Sequence, residues 1–405
     1  MLPSEEGGTS PANTRRLAAN SPQGGMVVEG LRFANLVKMK DGSLITERGM
    51  QSRDGGRTWQ KGSDFKPGGT LGLIRLPNGE LGSWLADVWD MDSALGNKTN
   101  NWFFKWSSDE GRTWSQPVKI TLDGLTQGLD GAMISLRDGK RLVLVTYSQF
   151  LGSRFDKRGA SWGSLGGVRF QSETEGHFPL AEACRAYYSD DNGRSWKAND
   201  GWIMGWRDRE KITDAVTEPD LVERKDGSLL LVARSLTGRL YEASSEDRGH
   251  SWWPGAKPMS LMSSYSPARI CRLPKTGDLM IVWNQQSRAE IRKGYRRSRL
   301  STAISRDEGR TWEHFKNLEA IRNHADRNFL PPDPDLSNVV GDDWVGELPG
   351  DYANFHYPSL AVVGEEVFVY YGWNTYKVGE KDGQKTVLSS GGSRTRILPV
   401  EWFYQ

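Results

Sequence analysis

The sequence predicts an all-β fold, and three observations support this prediction. An eight-residue box recurs five times along the 405 residues, a hairpin pattern recurs six times, and no stretch of useful length has helical periodicity. The 46 Gly and 17 Trp recur with the same period as these repeats. The length allows two average domains, but it also suits one large all-β domain.

The eight-residue repeat, which we call the Asp box, has the pattern Ser-x-Asp-x-Gly-x-Thr/Ser-Trp. Its chemistry is that of a hairpin turn: the Asp carboxylate accepts backbone N–H groups, the Gly takes a positive φ, and the Trp folds back as an apolar plug. The five copies are Ser52–Trp59, Ser107–Trp114, Ser189–Trp196, Ser245–Trp252 and Ser305–Trp312.

The second repeat consists of two apolar runs around a turn, which in several copies is Asp-Gly or Asn-Gly, a strong hairpin signal. Five of the six copies are followed by an Asp box, so the pattern predicts six four-stranded sheets, the last completed by strands from both chain ends. Six small sheets arranged around one axis leave only short, protected edges. The pattern therefore predicts a six-bladed β-propeller. The six copies are Leu36–Ile45, Leu73–Gly82, Ile134–Val143, Leu221–Leu230, Ile270–Ile281 and Leu360–Tyr370.

The predicted domains are a flexible N-terminal segment, residues 1–25, and a propeller over residues 26–405. Successive boxes start 55, 82, 56 and 60 residues apart, so the third unit carries an insertion around Gln149–Glu182. A second insertion, Asn317–Asn354, precedes the sixth hairpin. Insertions of this length shape the mouth of a binding site or decorate the surface.

Composition excludes several classes of protein. The 53 Lys+Arg and 51 Asp+Glu leave a net charge of +2, which argues against a dedicated nucleic-acid or membrane-surface binder. No apolar run approaches the roughly 18 residues of a membrane span. Cys184 and Cys271 make no disulfide framework, although one bridge between them is possible. The polar segment Met1–Gly25 lacks the apolar core of a signal peptide, so export is not visible in it.

The repeats resemble those of the sialidase (neuraminidase) superfamily, in particular its bacterial exo-sialidase and BNR-repeat branch. The resemblance extends over nearly the whole chain from about Val27. Asp boxes also occur in proteins that are not sialidases, so they indicate the fold rather than the activity. The resemblance implies a site in which three arginines bind the substrate carboxylate and a Tyr, activated by a Glu, replaces a carboxylate nucleophile that this charge would repel.

The three arginines implied by the resemblance come from different blades. Arg32 lies in the stretch 31–37, where Ala34 stands in place of the family's usual Pro. Arg234 follows the fourth hairpin. For the third, the segment before the fifth box favours Arg297, with the alternatives Arg299 and Arg296.

The Tyr and Glu are assigned in the same way. Glu218, in Thr217-Glu218-Pro219-Asp220, enters the fourth hairpin 16 residues before Arg234, so neighbouring strands present both side chains. Tyr357 enters the sixth blade, where the family places its nucleophile; the alternative is a buried core aromatic residue.

The general acid departs from the family pattern. The family carries an Asp on a long loop after the first hairpin, but here residues 45–51 run directly into the first box. The nearest substitutes are Asp87, Asp90 and Asp92, which we expect on a loop, and we select Asp90 as the acid. The missing loop also allows a changed specificity or a site that binds without turnover.

The predicted function is therefore that of an exo-glycosidase removing a terminal sialic acid (nonulosonic acid) with retention. The alternatives are a glycosidase for another acidic sugar and a non-catalytic carbohydrate-binding propeller. The expected partner is a sialylated or other acidic glycan, which favours an exported protein. No cofactor or metal is expected, because arginines supply the cation and the five His show no metal-ligand spacing. The oligomeric state is left open.

Overall fold

The computed structural model describes residues 14–16, 25–67, 71–92, 97–121, 128, 130–149, 157–178, 182–207, 213–321 and 344–405. These residues form six antiparallel sheets of four or five strands, two smaller sheets, an α-helix at Arg288–Arg292 and a 3-10 helix at Val400–Tyr404. The all-β prediction is confirmed. Among the described residues no helix is long and apolar enough to cross a membrane.

The six main sheets are numbered by the hairpin that opens each of them. The first contains Leu36–Lys38, Leu44–Thr46, Met50–Ser52 and Gln60–Lys61. The second contains Gly72–Arg75, Leu81–Asp92, Asn97–Ser107 and Val118–Lys119. The third contains Ala132–Ser135, Leu142–Gln149, Glu182–Ser189 and Lys197–Ala198.

The remaining main sheets follow in chain order. The fourth contains Val216–Glu223, Leu229–Ser235, Arg239–Ser245 and Lys257–Met262. The fifth contains Arg269–Arg272, Leu279–Trp283, Arg299–Ser305 and Glu313–Ala320. The sixth has the spatial order Thr14–Arg16, Met26–Glu29, Gln384–Pro399, Glu366–Lys381 and Ala353–Val363.

The sixth sheet joins the two ends of the described chain. Met26 pairs with Ile397, and the two strands run antiparallel. All six predicted hairpins are present. The first five form the first two strands of their sheets, and the sixth lies at the edge of its sheet opposite the N-terminal strands. The expectation that strands from both ends complete the last sheet is confirmed.

The first Asp box has the predicted turn chemistry. The Asp54 carboxylate accepts the N–H groups of Arg57 at 3.0 Å and Thr58 at 2.9 Å, and the Thr58 hydroxyl at 2.5 Å. Gly56 has a φ of 90°, and the indole Nε1 of Trp59 donates to the Gly56 carbonyl at 2.8 Å. Each box is thus closed by bonds within eight residues, which explains why it can be recognised in the sequence.

The same glycine makes each box pack against the preceding sheet. A Cβ on Gly56 would lie 2.4 Å from the Phe368 side chain of the sixth sheet, so only glycine permits this approach. The other boxes repeat the contact one sheet further on. The corresponding pairs are Gly111 with Phe65, Gly193 with Phe104, Gly249 with Val143, and Gly309 with Leu230.

The lowered pKa of the Asp54 carboxyl in the first box implies that the free energy of unfolding depends on pH. Burial would raise the pKa of Asp54, but bonds from Thr58, Ser52 and Arg57 lower it to about 2. Because this folded pKa lies below the usual value of about 3.9, Asp54 stabilises the fold above about pH 4, and the stabilisation is lost as the pH falls toward 2. We expect Asp54→Asn to reduce the free energy of unfolding at pH 6, with the deficit shrinking at pH 2. Denaturant titrations at both pH values measure this, and an equal deficit at both would contradict it.

The two predicted insertions meet in a small sheet. Lys157–Leu165 pairs antiparallel with Val168–Phe178 and parallel with Trp344–Glu347. The N–H of Leu348 also donates to the Ser164 carbonyl at 2.7 Å. The second small sheet pairs Gly205–Trp206 with Thr213–Asp214.

The fold gives the conformation of residues 86–92 and the state of the two cysteines. The segment 86–92 was expected on a loop, which is wrong, because it forms the end of the strand Leu81–Asp92, paired with Asn97–Ser107. Cys184 and Cys271 are both free thiols, so the bridge left open by the sequence is not formed.

Candidate functional site

One cavity of about 680 Å³ lies where the first strands of the six sheets, or the residues just before them, come together. Of the six predicted site residues, Arg32 and Tyr357 line it directly. Its other charged or titratable lining side chains are Glu47, Arg48, Asp130, Asp220, Arg269, His356 and Tyr370.

Glu218 and Arg234 form a buried ion pair behind this cavity. Arg234 pairs across the strands with Thr217, and its Nη1 lies 2.5 Å from Glu218 Oε2. The register of the two strands shifts between Thr217 and Asp220, so Glu218 and Pro219 lie in a β-bulge. A bulge tolerates proline, which cannot donate to the ladder, and it redirects the preceding side chain.

Tyr357 reaches the same carboxylate from the sixth sheet. Its hydroxyl donates to Glu218 Oε1 at 3.3 Å, while 42% of the residue stays exposed. A second register shift, between His356 and Ser359, places Tyr357 and Pro358 in a bulge like that of Glu218 and Pro219. One carboxylate therefore contacts an arginine through one oxygen and a tyrosine through the other.

Arg297 is the candidate third arginine that lies beside Tyr357. Its guanidinium carbon is 5.1 Å from the centre of the Tyr357 ring, and its Nη2 donates to the Tyr265 carbonyl at 3.3 Å. Arg299 instead forms a buried ion pair with Glu290 at 2.5 Å. Arg296 is 1% exposed. Proximity to Tyr357 thus favours Arg297.

Glu218, Arg297 and Tyr357 share an unusual backbone conformation. Their φ values are 46°, 50° and 49°, in the left-handed region that residues other than glycine seldom adopt. Such strain is retained where surrounding structure enforces it, and it concentrates at functional sites. Four other non-glycine residues with positive φ lie in Asp-box turns: Glu110, Asn192, Arg248 and Glu308.

The electrostatics favour an ionised Glu218. Burial acts to raise the pKa of this carboxyl, but Arg234 and then Arg297 and Arg269 outweigh it and lower the pKa below its usual value. The same pairing raises the pKa of Arg234, against the effect of its burial. Glu218 is therefore an anion at neutral pH and is able to accept a proton from Tyr357.

Arg32 reaches the cavity from a segment held by Glu47. Glu47, which is 2% exposed, accepts the N–H groups of Ala34 at 3.0 Å and Asn35 at 3.4 Å through Oε2. Burial raises the pKa of Glu47 despite these bonds. Arg32 itself is exposed, so its guanidinium is accessible to a ligand.

Sequence reasoning missed a second ion pair in the cavity. Arg269 Nη2 lies 2.7 Å and 2.9 Å from the two carboxylate oxygens of Asp130. Burial, opposed by Arg269 and assisted by Glu218, raises the pKa of Asp130. A comparison of the repeats contains the signal, because Asp130 enters the third hairpin as Glu218 enters the fourth.

Tyr265 was also missed, and no motif marks it. The guanidinium carbon of Arg234 lies 3.4 Å from the centre of the Tyr265 ring. Because the Tyr265 carbonyl also accepts from Arg297, this residue contacts two of the predicted arginines. These two contacts exist because Tyr265 lies in the segment that connects the fourth sheet to the fifth.

The remaining predicted site residue is the general acid, Asp90. The side chains of Asp87, Asp90 and Asp92 lie outside the described residues. In the part of the chain that the structure describes, no group of three or more His, Cys, Asp or Glu is arranged to hold a metal ion.

The chain is similar to a known family of repeat proteins and to several solved structures. The model of the family described as "BNR repeat-like domain" matches residues 92–369. A Dyadobacter fermentans protein of unknown function is 14% identical with a TM-score of 0.48, covering 93% of this chain and 92% of its own. A Penicillium chrysogenum α-L-arabinanase is 12% identical with a TM-score of 0.49, covering 90% and 92%. The NanB sialidase of Streptococcus pneumoniae is 12% identical with a TM-score of 0.43, covering 78% of this chain and 59% of its own.

Proposed function

Since this chain belongs to the BNR repeat-like domain family, we propose that it is an exo-glycosidase that removes a terminal sialic acid from glycoconjugates with retention of configuration. The observation that carries the proposal is the contact series Tyr357–Glu218–Arg234, with a 3.3 Å bond on one side of the carboxylate and a 2.5 Å pair on the other. A tyrosine held against an ionised glutamate suits a substrate whose own negative charge repels a carboxylate nucleophile.

In the proposed reaction, Arg32, Arg234 and Arg297 bind the substrate carboxylate. Arg234 has a hydrogen-bond donor beyond those used in its pair with Glu218, because its buried Nε has no hydrogen-bond partner among the described residues. The planar guanidinium suits a carboxylate, since it presents several N–H donors in a fixed geometry.

The covalent step begins at the Tyr357 hydroxyl. Its oxygen bonds to the anomeric carbon as its proton passes to Glu218, and the bond to the leaving oxygen breaks. A general acid, for which we propose Asp90, protonates that oxygen. The resulting carboxylate then activates water, which displaces Tyr357, and Glu218 returns the proton to the tyrosine. Two inversions at one carbon give net retention.

We also propose that the six sheets are the blades of a propeller over residues 26–405, and that the N-terminal segment, residues 1–25, adds the edge strand Thr14–Arg16 to the sixth blade. The support is the order of the box contacts, in which each box packs on the preceding sheet and the first box packs on the sixth. The 3-10 helix Val400–Tyr404 continues the series, because Lys275 of the fifth hairpin lies 2.5 Å from Glu401. A ring places all six first strands at the centre, around the cavity.

The first test is release of free sialic acid from α2,3- and α2,6-sialyllactose. We expect wild type to release it and Arg32→Ala to lose about 10- to 100-fold in kcat/KM, because a bond to a charged group contributes about 1.5–3 kcal/mol. Arg32 is exposed, so the variant should keep its melting temperature. Arg53→Ala is the matched control, since Arg53 pairs with Asp41 on the surface.

The outcomes separate the candidate functions. No release by wild type would overturn the sialidase proposal. It would favour another acidic sugar, which the direct run of residues 45–51 into the first box already suggests. Glycan binding with no turnover of any acidic glycoside would favour a carbohydrate-binding propeller.

A further inference from the structure

His356 is a titratable side chain in the cavity that the proposed reaction does not use. It directly precedes Tyr357 and lines the same cavity. The two rings meet edge to face, with their centres 6.1 Å apart. Any ligand that reaches the Tyr357 hydroxyl through this cavity therefore passes near the imidazole.

The imidazole is held in one orientation by the neighbouring strand. Asn374 Nδ2 lies 3.1 Å from His356 Nε2. An amide nitrogen donates, so Nε2 accepts and the ring proton lies on Nδ1. For Nδ1 no hydrogen-bond partner is found in the described part of the chain. The ring therefore has one donor available for a ligand.

Glycines make the space for this pair. A Cβ on Gly372 would lie 2.3 Å from His356 Cε1, and a Cβ on Gly391 would lie 2.1 Å from Asn374 Oδ1. Both glycines lie in the middle of long paired strands, where a residue with a side chain would stabilise the sheet better. The absence of two side chains thus allows His356 and Asn374 to pack closely against the strands.

The surroundings also keep the imidazole uncharged. Burial, and then the charges of Arg297 and Arg32, lower the pKa of His356 to about 4. The two arginines whose charges act on His356 are two of the three that we assign to the substrate carboxylate. The imidazole is therefore a neutral hydrogen-bond donor within the electrostatic influence of these two arginines.

We propose that His356 is a specificity residue, whose Nδ1–H donates to a hydroxyl or carbonyl oxygen of the acidic sugar next to its carboxylate, and that Asn374 is the residue that positions it. This inference rests on the proposed function, because it takes the arginines as the carboxylate site. A neutral donor suits this position, since an imidazolium would add a third positive charge beside Arg32 and Arg297. It distinguishes sugars by the oxygen they present, whereas the arginines recognise only their charge.

The test compares His356→Asn with His356→Gln. The amide nitrogen of Asn can occupy the position of Nδ1, whereas that of Gln corresponds to Nε2. We expect His356→Gln to weaken the binding of free N-acetylneuraminic acid about tenfold by calorimetry and to raise KM by a similar factor, with kcat within threefold. His356→Asn should lose less, and Asn374→Ala should resemble His356→Gln.

The results distinguish this inference from the proposed function. Equal losses in the Asn and Gln variants, or a lower melting temperature with unchanged affinity, would show a structural role and overturn the inference. If wild type binds the free acid but cleaves no sialoside, hydrolysis fails while the affinities still test His356. If wild type binds neither N-acetylneuraminic acid nor glucuronic acid, both proposals are overturned.

Discussion

Tyr357→Phe is expected to abolish sialoside hydrolysis while leaving substrate binding intact. The change removes one hydroxyl, which is the atom that we propose attacks the anomeric carbon and which lies 3.3 Å from Glu218. Loss of a nucleophile costs about a thousandfold or more in kcat, whereas the ring and its contact with Arg297 remain. The measurement is kcat for a 4-methylumbelliferyl sialoside, together with the affinity for free sialic acid.

The matched control for this variant is Tyr404→Phe. The Tyr404 hydroxyl contacts Thr276 and Asp278, and Tyr404 does not line the cavity. We expect it to keep wild-type kcat. A Tyr357→Phe protein that retained even a tenth of wild-type turnover would show that the assigned nucleophile is wrong.

Glu218→Gln is expected to lower both activity and stability. The glutamine cannot take the Tyr357 proton, and loss of a general base typically costs about 10²- to 10⁴-fold in rate. It also leaves the buried Arg234 guanidinium without its counter-charge, which costs about 3–5 kcal/mol in buried ion pairs. The measurements are kcat and the free energy of unfolding by denaturant titration.

A double variant separates these two effects. Glu218→Gln with Arg234→Met removes the uncompensated charge and replaces it with an apolar side chain of similar length, so much of the stability should return. Activity should not return, because both the base and a carboxylate-binding arginine are missing. Recovery of turnover in the double variant would exclude Glu218 and Arg234 from the reaction.

The family assignment and the sheets were accessible from the sequence because their signals are local. The Asp54 turn is closed by bonds to residues no more than four positions away, and the same pattern recurs five times. The expected BNR-repeat resemblance is confirmed by the family match over residues 92–369. The segment 86–92 was misassigned because its acids suggested a loop, whereas pairing with Asn97–Ser107 extends the strand to Asp92.

The site residues were named from a resemblance, and the sequence left three arginines as alternatives for one position. These arginines lie within four positions of one another, so the local sequence does not distinguish them. They differ in the residues that they contact elsewhere in the chain. Arg299 pairs with Glu290, whereas Arg297 lies beside Tyr357 of another sheet. His356 and Tyr265 likewise become candidates only through contacts with residues of other strands or sheets.

The sequence by itself determined the all-β class, the six hairpins and the turn chemistry of the boxes, because periodicity and turn residues act over a few positions. The tertiary structure alone decided which side chains meet. Glu218 and Tyr357 are separated by 139 residues, and two bulges with strained backbones bring them within 3.3 Å. Such contacts depend on how whole sheets pack, and no short stretch of sequence encodes that packing.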